Sequence, residues 1–86
     1  MTLHKFIELP ENVDYLEGRF FKINNGLEEL KSATCVTARL FSYYDNIVRE
    51  NYEYINGYLR AAYVYGHISK EECSLLSKEL LDFIRL

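Results

Sequence analysis

The chain has 86 residues, 49% of them apolar and 15% aromatic, and its thirteen acids against ten bases leave a net charge of −3. That length holds one domain, that apolar content is too high for intrinsic disorder, and that charge gives the chain as a whole no attraction for phosphate backbones. One proline and four glycines exclude collagen-like and linker-like chains, and no apolar run approaches the roughly 18 residues of a membrane span.

Leu3 to Leu9 is an apolar-rich lead stopped by Pro10, and residues 1–12 carry no assigned conformation. The opening Met1–Phe6 lacks the basic segment and apolar stretch of a secretory signal. The expected compartment is therefore the cytoplasm, with Cys35 and Cys73 as reduced thiols. Val13, Leu16, Phe20 and Ile23 then follow a cap at Asn12 with helical spacing. Gly18 weakens that reading, and Arg19–Ile23 before Asn24-Asn25-Gly26 also fits a short strand and turn. The helix over 13–24 is the reading favoured here.

From Leu27 to about Tyr65, apolar residues recur at helical period in three adjacent rows. One row is Leu27, Thr34, Phe41, Val48, Ile55 and Ala62; a second is Leu30, Thr37, Tyr44, Asn51, Tyr58 and Tyr65; the third is Ala33, Leu40, Ile47, Tyr54 and Ala61. Ser32, Arg39, Asn46, Glu53 and Arg60 lie opposite. Asn24-Asn25-Gly26 reads as the turn before this helix, with Glu28 and Glu29 in its first turn where the dipole favours acids. An unbroken helix of that span would be a rod of roughly 58 Å. A helix over 13–24 would cover only about 27–40, and a C-terminal helix only about 50–65. Phe41, Tyr44, Ile47 and Val48 are left without a partner. Three remedies stay open: a break near 49–52, the Phe6–Leu9 segment lying across the gap, or a second chain.

Gly66 is placed to stop the long helix in a left-handed conformation, and Ser69-Lys70-Glu71-Glu72 reads as a capping box. A last helix follows from Lys70 to about Ile84, with Cys73, Leu76, Leu80, Phe83 and Ile84 on one side. The intervening turn is short enough to force an antiparallel hairpin. The expected fold is all-α: a small helical bundle with a long or broken central helix and an antiparallel C-terminal hairpin, one domain over 1–86. The stretch from Gly57 to Glu72 is similar to a pattern in short helical proteins of phages and mobile elements of Gram-positive bacteria. They end a helix at Gly-x-Ile-Ser/Thr and open the next with an acidic turn. That resemblance implies a small accessory protein, a regulator, or an inhibitor of host defence of the anti-CRISPR kind.

Chemistry finds little to work with. His4, Cys35, His67 and Cys73 are the whole soft-ligand supply and none falls in a metal-binding pair, so no metal and no cofactor is expected. No phosphate loop, nucleophile elbow or dinucleotide fingerprint occurs. Glu28-Glu29 and Glu71-Glu72 sit where helix starts favour acids, which explains them without acid–base catalysis. No enzyme is expected. Seven of the eight tyrosines crowd into residues 43–65. Tyr44, Tyr54, Tyr58 and Tyr65 fall on the apolar rows as core or rim, whereas Tyr43, Tyr52 and Tyr63 point away from them. Tyrosine buries a large ring while keeping its hydroxyl wet, and it concentrates at protein interfaces.

The functional expectation is a non-catalytic module that binds a host protein, such as a defence nuclease or another nucleic-acid-binding protein, through Tyr43, Tyr52, Glu53 and Glu50. No membrane and no direct nucleic acid are implied. A dimeric DNA-associated regulator using Arg39, Arg49 and Arg60 is the alternative, although Asp45, Glu50 and Glu53 are interleaved with those cations. A self-assembling module, with a homodimer as its simplest form, is the third.

Overall fold

Thr2 opens the first helix by accepting the Lys5 amide on its hydroxyl at 3.2 Å, and Pro10 closes the segment. This helix, α1, spans Leu3–Glu8; α2 spans Val13–Lys31, α3 Ala38–Val64 and α4 Lys70–Ile84. The computed structural model describes residues 1–32 and 37–85, and among them the chain is all-α with no strand. Asn12 ends the link between α1 and α2 but does not cap its own helix. Its amide nitrogen donates to the Phe6 carbonyl at 2.9 Å, and its Oδ1 accepts from the Tyr58 hydroxyl at 2.6 Å. One buried side chain thus ties α1, α2 and α3 together.

The strand alternative for 19–23 is not what forms: α2 runs unbroken through it. It also runs through Asn24-Asn25-Gly26, so the expected turn is absent. The asparagines face solvent, and Gly26 is there for packing, since a Cβ on it would meet Val48 Cγ2 at 2.7 Å. Glu28 and Glu29 consequently stand near the end of α2 rather than in the first turn of a new helix.

The long apolar stripe belongs to two helices. α3 passes through residues 49–52 without a break, and the interruption falls between Lys31 and Ala38 instead. Ser32 is the C-terminal cap of α2, and Thr37 caps α3 by accepting the Leu40 amide at 3.2 Å. Ala33 and Thr34, which the stripe carried, and Cys35, expected as a reduced thiol, lie outside the described residues.

Contacts fix the pairing. The Tyr15 ring lies 6.1 Å from that of Tyr58, Arg19 sits 4.0 Å over the Tyr54 ring, and Gly26 abuts Val48. Numbers rise along α2 as they fall along α3, so the helices are antiparallel. The second half of α2 therefore covers the gap, leaving Val48 only 5% exposed, with Tyr44 and Ile47 half-buried. α1 packs instead on α2 and α4, where the Leu3 amide donates to Glu79 Oε2 at 2.6 Å.

Gly66, at φ +80°, ends α3 in a Schellman motif: the His67 amide donates to Ala62 O at 2.8 Å and the Gly66 amide to Tyr63 O at 3.0 Å. Ser69 then caps α4 by accepting the Glu72 amide at 3.1 Å. Cys73 lies against the Leu59 carbonyl and Ile84 beside Val48 and Tyr52, so α4 returns antiparallel along the second half of α3. Leu16, Ile23, Ile55, Leu59, Leu76 and Leu80 are sealed at the centre. The molecule is elongated, 44 × 22 × 17 Å, with a radius of gyration of 13.9 Å against about 12 Å for a typical domain of this length. Among the described residues α4 reaches no further than Ile84, beside Val48, and Phe41 stays 52% exposed.

Candidate functional site

Eleven residues make three helical turns with a drift of only about 20°. Tyr43, Tyr54 and Tyr65 are spaced at that interval, and all three are exposed. Tyr43 and Tyr54 lie on the flank of α3 that borders α2, whereas Tyr65 follows the end of α3 and borders the cavity beside α1. The groove between the two helices holds about 430 Å³, walled by Arg19, Lys22 and Gly26 from α2 and by Tyr43, Ile47 and Glu50 from α3. Tyr43 is held edge-on against Tyr44, with centroids 5.1 Å apart and rings 76° from coplanar. Arg19 is fixed twice, over the Tyr54 ring and by donating to Asn51 Oδ1 at 3.4 Å. Asn51 is buried and its own amide donates to the Ile47 carbonyl at 2.7 Å. The result is an exposed aromatic strip whose side chains are braced from beneath.

Of the residues expected to form a site, Tyr43 and Glu50 come together in this groove. Tyr52 does not join them and does not point to solvent. It is half-buried against the core on the opposite flank, beside Val48, Arg49 and Ile84, because α4 packs there. Glu53 is exposed and borders neither cavity. Tyr54 and Tyr65, expected as core or rim, are on the surface, with Tyr65 at 77% exposure because α3 ends beside it. Arg19, Lys22 and Ile47 line the groove without a sequence pattern that marks them as a site, and Tyr54 adjoins it through Arg19. The interval of eleven was readable, but the α2 contribution required knowledge of the pairing.

Arg39, Arg49 and Arg60 are all exposed, yet Arg49 is tied to Asp45 at 3.0 Å. His4 pairs with Glu8 at 2.9 Å on the surface of α1. Among the described residues no three His, Cys, Asp or Glu converge on a metal position, and no helix is long and apolar enough to cross a membrane. Comparison with family models, characterised proteins and solved structures finds no match for the chain.

Proposed function

We propose that this chain is a non-catalytic protein-binding module whose contact face is the groove between α2 and α3. The observation that carries the reading is the pair of exposed rings Tyr43 and Tyr54 with half-buried Ile47, Tyr43 and Ile47 lining the groove with Arg19, Lys22 and Glu50 and Tyr54 lying under Arg19. Tyrosine and arginine are the residue types most often found where binding energy is concentrated, and bracing by Tyr44 and Asn51 lowers the ordering cost of contact. Glu50 and Lys22 supply charge of both signs at the edge, which favours a partner surface of mixed polarity over a phosphate backbone. The resemblance of Gly57–Glu72 to phage and mobile-element proteins extends the proposal to a small cytoplasmic inhibitor or modulator of a host protein such as a defence nuclease. It would act by steric occlusion.

The test is affinity capture from the source cell with the wild-type chain and with a Tyr43→Ser, Tyr54→Ser double variant, read by mass spectrometry. The reading expects a protein retained by the first and lost by the second, with helical circular dichroism unchanged. Equal retention by both would place the contact elsewhere. Titration with duplex DNA at two salt concentrations provides the control, since salt-sensitive affinity would favour the DNA-associated alternative through Arg39 and Arg60.

A further inference from the structure

The flank of α2 that meets α3 carries Tyr15, Arg19 and Lys22, and the facing flank of α3 carries Tyr43, Ile47, Glu50 and Tyr54. Because the helices are antiparallel, Arg19 lies level with Asn51 and Tyr54, and Gly26 with Tyr44 and Val48. Lys22 is midway between Arg19 and Gly26, so it stands level with Glu50 across the groove that both line. Neither charge is paired. Among the described residues the ion pairs are His4 with Glu8 and Arg49 with Asp45, and Lys22 and Glu50 are both exposed. The groove therefore has an unpaired cation on one wall and an unpaired anion on the other. Exposed rings flank them, Tyr15 at 58% and Tyr43 at 57%.

That arrangement is complementary to itself. A two-fold axis through the groove, level with Lys22 and Glu50, exchanges the two walls and reverses the direction along them. Lys22 of a second copy then falls on Glu50 of the first, and Glu50 of the second on Lys22 of the first. The rings match as well. Tyr43 is seven residues from Glu50 along α3, and Tyr15 is seven from Lys22 along α2. The same rotation thus sets Tyr43 of each copy over Tyr15 of the other, and Ile47 over Arg19, each of these three residues from its reference charge. Opposite charges meet at the centre, and aromatic rings meet at both ends. The long side of the molecule, 44 by 17 Å at its narrower, is comparable to the roughly 800 Å² that each partner buries in a stable interface.

We propose that the groove pairs with a second copy of this chain, in a two-fold dimer held by Lys22–Glu50 contacts and by Tyr43 of each copy on Tyr15 of the other. The inference rests on the reading of the groove as a contact face and adds the control of that face, because a second copy and a host protein would compete for it. Sedimentation velocity of the purified chain alone, from about 20 µM to about 1 mM, tests it. The wild type is expected to dimerise with a Kd of about 100 µM or tighter. Lys22→Glu and Glu50→Lys each set like charges opposite one another and weaken the homodimer at least about tenfold, with helical circular dichroism unchanged. An equimolar mixture of the two variants brings opposite charges together again and restores dimer to the wild-type level. A wild type that stays monomeric at about 1 mM, a dimer untouched by either swap, or a mixture no stronger than its components would overturn the proposal. Affinity capture from the cell is a separate readout. A monomer that still captures a protein through Tyr43 and Tyr54 ends the self-pairing alone, and a dimer that captures none ends the host-protein reading alone.

Discussion

Replacing Gly26 by alanine gives opposite signs of effect depending on whether α2 and α3 cross as described. In an ordinary helix interior, glycine to alanine stabilises by about 1 kcal/mol. At Gly26 the new Cβ would lie 2.7 Å from Val48 Cγ2, and 3.5 Å from the Tyr44 carbonyl oxygen. Val48 is buried, and a β-branched side chain in a helix has essentially one rotamer, so it cannot swing aside. Overpacking of this kind costs about 1–3 kcal/mol, which cancels or exceeds the propensity gain. Gly26→Ala is therefore expected to leave stability unchanged or lower it by up to about 2 kcal/mol. In a Val48→Ala background the obstructing methyl is gone, and the same substitution should stabilise by about 1 kcal/mol. Urea unfolding of the four proteins in this cycle, followed by circular dichroism, measures a coupling of about 1–3 kcal/mol. If Gly26→Ala stabilises equally in both backgrounds, the helices do not meet there and the pairing is wrong.

Other glycines give a matched contrast. Gly18 is helical with open space around its missing Cβ, so Gly18→Ala should raise stability by about 1 kcal/mol, or roughly 4–8 °C in melting temperature. Gly66 stands at φ +80°, so Gly66→Ala should lower stability by about 1 kcal/mol despite equally open surroundings. Thermal melts of the two variants check both signs. Tyr58 sets an alkaline limit: because desolvation by burial raises its folded pKa above 10.0, the folded state holds that proton after the unfolded chain has released it. Its contribution is complete below pH 10.0 and is lost as pH rises through the folded value. Urea midpoints across that range should fall more steeply for the wild type than for Tyr58→Phe, and parallel curves would contradict this.

How much of the fold could be read in advance depends on where local chemistry decides. The last helix, its Ser69 cap and the Gly66 stop are all local devices, and they form as the residues suggest. The α2–α3 boundary was missed because the apolar period happens to keep phase across it. A signal against one continuous helix was present: Ser32, Thr34, Cys35, Val36 and Thr37 are all weak helix formers, and Thr37 is a good cap. Gly26 misled for a different reason. Asn-Asn-Gly is turn chemistry by itself, and only contact with Val48 explains a glycine inside a helix. Tyr52 points away from the apolar rows along α3, yet α4 packs over it, a contact that no pattern within α3 reveals. Tyr43 and Glu50 line one groove while Tyr52 and Glu53 do not, and Arg19 and Lys22 come from a separate helix that no spacing rule along α3 could reach.

The proposed partner contact lies on the Tyr43 flank of α3 and not on the Tyr52 flank. Once a partner has been captured and purified, its affinity for the wild type, Tyr43→Ser and Tyr52→Ser decides the matter. A loss of about thirtyfold or more at Tyr43, the scale of an interface residue worth about 2 kcal/mol, with less than about threefold at Tyr52, is the result expected here. The reverse order, in a Tyr52→Ser chain that still folds, would contradict it.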